Sequence, residues 1–279
     1  MTIAECLKRS DVLLPDSDSA RRDMELLLMQ LLDKPRSFLY AYPDTTLQTA
    51  QAAQLDALLA RRAAGEPMAY ILGVRAFRNL RLQVTPAVLI PRPETELLVE
   101  RVIAQLPRAG RVLDLGTGSG AVALAIADER RDAQVTAVEQ SAAALAVAVA
   151  NGERLKLPVR FLQGDWFAPV ANETFDAVVS NPPYIDADDV HLQQGDVRAE
   201  PRSALIADDH GFGDLYAIAD AARAHLAVGG CLLMEHGYTQ AAALADRLRA
   251  LGYHAVQTHT DAAGHDRVTG GIWRGHHAH

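Results

Sequence analysis

A glycine-rich stretch with an acid at its head offers the first chemistry in this sequence. The residues D-L-G-T-G-S-G occupy 114–120, directly after the apolar run 112–115. Glycines let a backbone approach a ligand closely, and a helix that begins after such a turn directs its amides toward that ligand. Glu139 ends the next apolar run, where a carboxylate can accept both hydroxyls of a ribose. Together these residues predict a nucleoside-binding site, whereas the glycines alone also fit a structural turn.

The charge and spacing of this loop narrow the class of nucleoside. Its G-x-G-x-G pattern differs from the G-x-G-x-x-G of dinucleotide-binding folds. Asp114 places a negative charge where a dinucleotide would bring its phosphates, and it complements a sulfonium ligand that carries an α-amino group. Asp165 can accept a hydrogen bond from an adenine amino group, and Trp166 either offers its indole face to that ring or packs in the core. The loop therefore favours a sulfonium nucleoside over a nicotinamide dinucleotide.

A second chemical motif, Asn181-Pro182-Pro183-Tyr184, closes the apolar run 175–180. Neither proline can donate to a sheet ladder, so a strand must end here, and a residue that precedes a proline is held extended. The stiff turn presents two acceptors, the side-chain oxygen of Asn181 and the carbonyl of Pro182, beside the ring of Tyr184. Two fixed acceptors suit a planar NH2 group, and orienting that nitrogen can supply much of the catalysis. A proline-rich structural turn is the alternative.

The elements that must position these motifs alternate between strands and helices. This alternation predicts an α/β fold with a mostly parallel sheet and helices on both of its faces. Open sheets of this kind bind ligands at the carboxyl ends of their strands, where both motifs lie. The predicted strands are 112–115, 135–138, 159–162, 175–180, 231–234, 254–259 and 267–273, and the predicted helices are 121–128, 141–155, 215–227 and 239–251.

The first part of the chain has a different pattern. Apolar residues recur at helical spacing through residues 1–72, and Asp18 or Ser19 can cap one of the helices. Short alternation around a turn then predicts a β-hairpin. We expect a helical bundle over 1–72, a β-hairpin linker over 73–90 and a catalytic domain over 91–279. The bundle is either a structural cap or a module that docks a partner.

Composition excludes several function classes. The 279 residues contain 27 Lys and Arg against 35 Asp and Glu, a net charge of −8, which argues against a broad nucleic-acid-binding surface. The two cysteines, Cys6 and Cys231, favour a reducing compartment over a disulfide framework. We find no signal peptide and no membrane-spanning run, so a cytoplasmic protein is expected. No metal site is predicted, and the histidine-rich end 275–279 is expected to be frayed.

Loop 114–120 resembles the acid-G-x-G-x-G motif of class I S-adenosylmethionine-dependent methyltransferases. The Asn-Pro-Pro-Tyr turn is shared by enzymes that methylate adenine N6, guanine N2 or protein glutamine. Over nearly its whole length the chain resembles the HemK/PrmC family, the N5-glutamine methyltransferases of peptide chain release factors. The further matching segments are Gly65-Glu66-Pro67 with Gly73 and Phe77, Ile90-Pro91-Arg92-Pro93-Glu94-Thr95-Glu96, Asp165-Trp166, Asn181–Ile185, Glu200-Pro201 with Ala204-Leu205, and Gly264 with Arg267.

This resemblance implies a fold, a cofactor, a substrate and a set of site residues. The fold is a Rossmann-like, seven-stranded mostly parallel sheet, and S-adenosylmethionine is converted to S-adenosylhomocysteine. The substrate is the glutamine in the Gly-Gly-Gln loop of class 1 release factors. The implied catalytic residues are Asn181, Pro182 and Tyr184. The implied cofactor-binding residues are Asp114, Gly116, Thr117, Gly118, Gly120, Glu139, Asp165, Trp166 and Asn181. The implied substrate-binding residues are Asn181, Pro182, Pro183, Tyr184, Arg92 and Glu94.

Three other functions compete with this interpretation. A nucleic-acid amino-methyltransferase acting on adenine N6 or guanine N2 would use the same turn, but the acidic charge disfavours it. A nicotinamide oxidoreductase is disfavoured by the glycine spacing and by Asp114. A catalytically silent adaptor would have no need of a complete Asn-Pro-Pro-Tyr turn. We expect a monomer whose partners are release factors, without direct contact to nucleic acid or membrane.

Overall fold

A computed structural model describes residues 1–14, 17 and 19–275 of the chain. These residues form two compact units. The N-terminal unit comprises Met1–Val74 together with Gln193–Ala199, and the C-terminal unit comprises Arg75–Leu192 and the chain from Glu200 onward. The predicted cap at Asp18 and the histidines of the predicted frayed end lie outside the described residues.

Short helices build the N-terminal unit. Met24, Leu27 and Leu28 are fully buried in its core, as their helical spacing predicts. The longer helix that carries them ends at Asp33, whose left-handed backbone (φ 50°) stops it before the proline that follows. Ser19 precedes this helix, but its hydroxyl donates to the Asp23 carboxylate and caps no amide. The helices are α1 (Ile3–Lys8), α2 (Ser10–Leu13), α3 (Ala20–Leu32), α4 (Arg36–Ala41), α5 (Thr49–Ala63) and α6 (Met68–Leu72).

The segment 193–199 belongs to this unit although it is distant in sequence. Arg62 on α5 donates to Asp23 on α3 at 2.9 Å and to Asp196 at 2.9 Å, so one guanidinium joins two carboxylates. Arg198 lies over Gly65, where any side chain would collide with its guanidinium. The sequence carries no local signal for this packing, because the partners are 134 positions apart.

We expect Arg62→Met to release this segment. The substitution keeps most of the aliphatic stem but removes both ion pairs, and Asp23 retains hydrogen bonds from the hydroxyls of Ser17 and Ser19. The loss of stability should therefore be about 1–3 kcal/mol, with faster hydrogen–deuterium exchange at 193–199. Arg61→Met is the matched control, since Arg61 pairs with Glu66 outside this contact. Unchanged exchange at 193–199 would contradict the anchoring role.

A β-hairpin follows the N-terminal helices, as alternation in the sequence predicts. Its strands are β1 (Val74–Phe77) and β2 (Leu80–Gln83). Leu80 and Leu82 point into the core, and the exposed positions alternate with them. The backbone of Gln83 exchanges two hydrogen bonds with the buried side chain of Asn151, which also donates to the carbonyl of Ser119. One asparagine thus ties the hairpin to the glycine-rich loop.

A seven-stranded sheet organises the C-terminal unit, as predicted. Its order is β5-β4-β3-β6-β7-β9-β8, in which β9 is antiparallel to both of its neighbours and the other pairs are parallel. The chain moves outward from β3 in both directions, so the carboxyl ends of β3 and β6 flank the crevice where such sheets bind ligands. The strands are β3 (Arg111–Leu115), β4 (Gln134–Glu139), β5 (Val159–Gln163), β6 (Phe175–Ser180), β7 (Leu226–Glu235), β8 (His254–Thr260) and β9 (Asp266–Ile272).

Helices cover both faces of this sheet and enclose two apolar cores. The two cores contain buried residues of α7 and α8 on one side and of α11 and α12 on the other. The predicted helix 215–227 was wrong at its end, because a 3₁₀ turn at 222–224 ends the helix and Leu226 already belongs to β7. The helices are α7 (Glu96–Gln105), α8 (Ala121–Glu129), α9 (Ala142–Leu155), α10 (Asp208–Gly211), α11 (Gly213–Ala221) and α12 (Ala241–Ala250). None of the described helices has the length and apolarity to cross a bilayer.

Candidate active site

A cavity of about 340 Å³ opens at the carboxyl ends of β3, β4 and β6. Its lining brings together most of the residues that the sequence singled out, although they come from distant parts of the chain. These predicted lining residues are Arg92, Asp114, Gly116, Thr117, Gly118, Glu139, Asp165, Trp166, Asn181 and Pro183.

Asp114 lies at the base of the cavity and is almost completely buried. Its Oδ2 accepts hydrogen bonds from the hydroxyl of Thr117 at 2.6 Å and from the amide of Ala123 at 3.1 Å. Burial raises the pKa of the Asp114 carboxyl to about 7 in spite of these two bonds. A cation bound in the cavity would lower this pKa and stabilise the ionised carboxylate, so the site is suited to a positively charged group.

The amides of Gly116, Thr117 and Gly118 are already used within the protein. Gly116 and Thr117 both donate to the carbonyl of Val138, and Gly118 donates to the carboxylate of Glu139. A phosphate-binding loop needs these amides to point at its ligand. These three amides do not point at a ligand, which argues against a dinucleotide. Gly118 (φ +57°) has open space where a side chain would stand, as a close ligand contact requires.

Glu139 is held rigidly at the tip of β4. Its Oε2 accepts from the amide of Gly118 and its Oε1 from the amide of Ser141, both at 2.9 Å. A carboxylate has about four lone-pair sites, so each oxygen retains acceptor capacity toward the cavity. The arrangement suits a pair of adjacent hydroxyls, as in a ribose.

Asp165 and Trp166 follow β5 and form another wall of the cavity. Trp166 adopts a left-handed backbone (φ 40°), and its indole lies against the face of Gly116, where an added Cβ would come within 3.4 Å. Asp214 also lines the cavity and was not among the residues predicted from the sequence. Burial raises the pKa of Asp214, and the charges of Asp208 and Asp165 raise it further. Only a Gly-Asp pair at the start of α11 marked this position in the sequence.

The Asn-Pro-Pro-Tyr turn leaves β6 at the edge of the cavity. Asn181 and Pro183 line it, and the Asn181 side chain donates through Nδ2 to the hydroxyl of Thr95 at 3.2 Å. Pro182 is buried beside them and does not contribute to the lining. Among the described residues, no backbone amide donates to the Pro182 carbonyl. The acceptor roles predicted for Asn181 and Pro182 therefore remain compatible with their surroundings.

Tyr184 lies outside the cavity lining, with its hydroxyl donating to the carboxylate of Glu235 at 3.3 Å. Burial raises the pKa of this phenol, and the negative charge of Glu235 raises it further. The Tyr184 carbonyl accepts from the side chain of Gln240, which also donates to Gly211. Glu235 and Gln240 were missed in the sequence because nothing in their local pattern distinguishes them from a strand end and a helix start.

The remaining predicted site residues differ in how they relate to the cavity. Arg92 lines the cavity, and its guanidinium is already paired with the buried carboxylate of Glu200 at 2.7 Å. Glu94 is half-buried and does not line the cavity. Gly120 (φ +84°) also lies outside it, where a side chain would collide with Leu124. Within residues 1–14, 17 and 19–275, no cluster of His, Cys, Asp or Glu is arranged to hold a metal.

The buried Asp114 makes a prediction about pH. Its pKa is raised from 3.8 to about 7, so the folded protein keeps a proton that the unfolded chain has already lost. Stability should therefore fall as pH rises through this window, and Asp114→Asn should flatten the fall. Urea unfolding of the ligand-free protein between about pH 4 and 7 measures the slope. Asp56→Asn, on an exposed face of α5, is the control. Parallel curves for Asp114→Asn and wild type would refute the assignment.

Comparison with known proteins relates both units to one family. The PrmC N-terminal domain family matches residues 5–73, and the Methyltransferase small domain family matches residues 93–197. The release factor glutamine methyltransferase of Salmonella typhimurium strain LT2 is 52% identical over 260 residues, covering 92% of this chain and 94% of that protein. The chain belongs to the release factor glutamine methyltransferase family. The Escherichia coli K12 member is 48% identical over 255 residues, covering 91% of this chain and 92% of that protein.

A solved methyltransferase structure from Pyrococcus furiosus shares the fold. It superposes with a TM-score of 0.55 at 22% identity, covering 78% of this chain and 98% of that one. The HemK/PrmC resemblance and the class I methyltransferase fold predicted from sequence are thereby confirmed. The protein is an enzyme of the methyltransferase class, which sets aside the oxidoreductase and adaptor alternatives.

Proposed function

We propose that this protein transfers a methyl group from S-adenosylmethionine to the side-chain amide nitrogen, N5, of the glutamine in the Gly-Gly-Gln loop of bacterial class 1 release factors. The observation that carries the proposal is the Asn-Pro-Pro-Tyr turn at the cavity edge, with Asn181 in the lining. The turn lies next to a pocket that suits a sulfonium ligand. A group that can hold an amide is therefore placed beside a site for the methyl donor. The family relatives named above support the choice of glutamine over a nucleobase.

The cavity fits S-adenosylmethionine in its chemistry. Asp114 and Glu139 contribute carboxylate acceptors, and the amides of Gly116, Thr117 and Gly118 are already bonded within the protein and unavailable to a phosphate. Bound S-adenosylmethionine supplies an electrophilic methyl group on a sulfonium. We assign the ribose to Glu139, the adenine to Asp165 and Trp166, and the methionine part to the lining around Gly116 and Gly118.

The residues of the turn would act by orientation. A glutamine amide nitrogen is a weak nucleophile, because its lone pair is delocalised into the carbonyl. Acceptors at Asn181 and Pro182 hold its two hydrogens and stabilise positive charge as it develops on nitrogen. One N–C bond forms, the C–S bond of the donor breaks, and one amide proton passes to water. Tyr184 would support the turn from outside the cavity, through the hydrogen bond of its hydroxyl to Glu235.

The setting of the reaction follows from its substrate. Release factors act in translation, so we place the activity in the cytoplasm. The net charge of −8 gives no support to direct binding of nucleic acid, and we propose that the enzyme works as a monomer.

Mass spectrometry of a release factor tests this function. Incubation of the unmodified factor with the enzyme and S-adenosylmethionine should add about 14 Da, the net mass of one CH2, to the loop glutamine. A factor with that glutamine replaced by alanine is the control and should gain nothing. Absence of the gain, or transfer to a nucleic-acid base instead, would overturn the proposal.

A further inference from the structure

The side chain of Gln240 joins three segments next to the Asn-Pro-Pro-Tyr turn and has no role in the function described so far. Gln240 directly precedes α12, and only 5% of its surface is exposed. Its Nε2 donates to the carbonyls of Tyr184 at 3.2 Å and Gly211 at 3.0 Å. Its Oε1 accepts from the amide of Gly237 at 2.8 Å. One buried amide group therefore connects the turn to two other segments.

The orientation of this side-chain amide follows from its partners. A backbone N–H only donates and a backbone carbonyl only accepts, so the oxygen of Gln240 faces Gly237 and its NH2 group faces the two carbonyls. A reversed amide would direct an oxygen at two carbonyl oxygens and leave buried polar groups unpaired. Among side chains of this length, only an amide has both the acceptor and the two donors that these partners require.

The Tyr184 end of the turn is anchored through its backbone and its ring hydroxyl. The amides of Tyr184 and Ile185 both donate to the Leu205 carbonyl, at 3.2 and 2.9 Å. The Tyr184 hydroxyl donates to Glu235. Gln240 supplies the bond to the Tyr184 carbonyl, so each polar group of this tyrosine is engaged.

The other end of the turn is anchored in the sheet. Ser180 pairs with Leu115 on one side and with Met234 on the other, and its hydroxyl donates to the Leu115 carbonyl at 2.8 Å. Two prolines with fixed φ angles span most of the distance between this anchor and the tyrosine. The acceptors at Asn181 and Pro182 therefore keep their direction only while both ends of the turn are held.

Gly211 shows how closely the neighbouring segment approaches the turn. It follows Asp209 and His210, and the three residues have left-handed backbones with φ of 51°, 52° and 86°. A Cβ on Gly211 would lie 2.4 Å from the Tyr184 carbonyl oxygen and 3.0 Å from Nε2 of Gln240. Left-handed conformations of non-glycine residues persist only where surrounding contacts hold them. The bond from Gln240 to the Gly211 carbonyl is such a contact.

We propose that Gln240 is a positioning residue that fixes the Tyr184 end of the turn and thereby the direction of its two substrate acceptors. Without its NH2 group, the Tyr184 and Gly211 carbonyls lose their shared donor, and the strained segment 209–211 is released from the turn. The acceptors then lose their fixed geometry toward the glutamine amide, which slows the reaction. This inference rests on the proposed function, and it adds the contact that keeps the amide-holding turn rigid.

Steady-state kinetics of two variants tests this role. Gln240→Met keeps the length of the side chain but removes its three hydrogen bonds, and Gly211→Ala directs a methyl group at the Tyr184 carbonyl. Each should lower kcat for release factor methylation about 10- to 100-fold, the size expected for a misplaced catalytic group. The Kd of S-adenosylhomocysteine, measured by calorimetry, should stay near the wild-type value, because the residues assigned to the cofactor end or follow β3, β4 and β5. The double variant should be about as slow as the slower single variant, since both changes release the same contact.

Gly229→Ala is the matched control for backbone strain. Gly229 also has a left-handed backbone (φ +88°), but nothing lies within 4 Å of an added Cβ. This variant should lose thermal stability through the same backbone cost as Gly211→Ala and keep the wild-type kcat. The calorimetric stoichiometry gives the folded fraction of each variant, and kcat is referred to that fraction.

Two results would overturn the positioning role of Gln240. One is a Gln240→Met enzyme with the wild-type kcat, and the other is a loss of cofactor affinity as large as the loss of kcat. Gln240→Met decides the question if Gly211→Ala fails to fold, and Gln240→Glu, which keeps the shape and the acceptor but lacks the two donors, replaces Gln240→Met if that variant fails. Failure of the wild-type enzyme to modify the release factor would instead refute the proposed function.

Discussion

Replacing Asn181 by alanine should slow methyl transfer by about 10²–10³ while leaving cofactor affinity nearly unchanged. The side chain lines the cavity, and its Nδ2 is fixed on Thr95, so its oxygen is an acceptor that needs no reorganisation when substrate binds. Such preorganised groups act mainly on the transition state, so the loss should appear in kcat. Single-turnover assays with a release factor give the rate, and calorimetry with S-adenosylhomocysteine gives the affinity.

Asn172→Ala is a suitable control for this experiment. Asn172 lies exposed in the loop before β6, at the opposite end of that strand from the turn. Its replacement should change neither quantity. If Asn181→Ala instead weakened cofactor binding as much as it slowed turnover, the side chain would be part of the cofactor site, and its role as amide acceptor would be refuted.

Replacing Glu139 by glutamine should have the converse effect. The Kd of S-adenosylhomocysteine should rise about 10- to 100-fold, the range expected when a hydrogen-bonded charge is lost. Glutamine keeps the shape but has a single oxygen, whereas the two oxygens of Glu139 share the amides of Gly118 and Ser141 and each keeps a lone pair for a ligand. Little acceptor capacity would remain for a ribose. Turnover at saturating cofactor should stay within a few-fold of wild type.

Glu153→Gln, on the exposed side of α9, supplies the matched control for Glu139. This substitution removes the same charge at a residue that does not line the cavity. If Glu139→Gln bound S-adenosylhomocysteine with unchanged affinity, the assignment of Glu139 to the cofactor site would be refuted. The thermal stability of both variants shows whether the loop itself has shifted.

The sheet and the cavity could be predicted because their signals are local. An apolar run that ends in an acid, a glycine turn or a double proline marks the carboxyl end of a strand, and parallel strands bring those ends together. Asp114, Glu139 and Asn181 were found in this way. The end of α11 was predicted wrongly because Ala221, Ala222 and Ala224 continue a helical pattern up to the start of β7.

Residues that act through distant partners had no such signal. Glu235 looks like the polar end of a buried strand, and its contact with Tyr184 arises only because β7 lies beside β6. The link between Arg62 and Asp196 is equally invisible, because an arginine and an aspartate far apart in sequence are common in any chain. Such contacts follow from tertiary packing, which residue spacing does not encode.

The discontinuity of the N-terminal unit has a consequence for synthesis on the ribosome. Chains generally fold from their N-terminus as they emerge. Here residues 1–74 emerge first, but the closing segment 193–199 follows only after strands β3 to β6 have been made. Arg62 must wait for Asp196 while the sheet that carries the active-site turn is being completed. The first part of the chain to be translated is therefore among the last to acquire its full set of contacts.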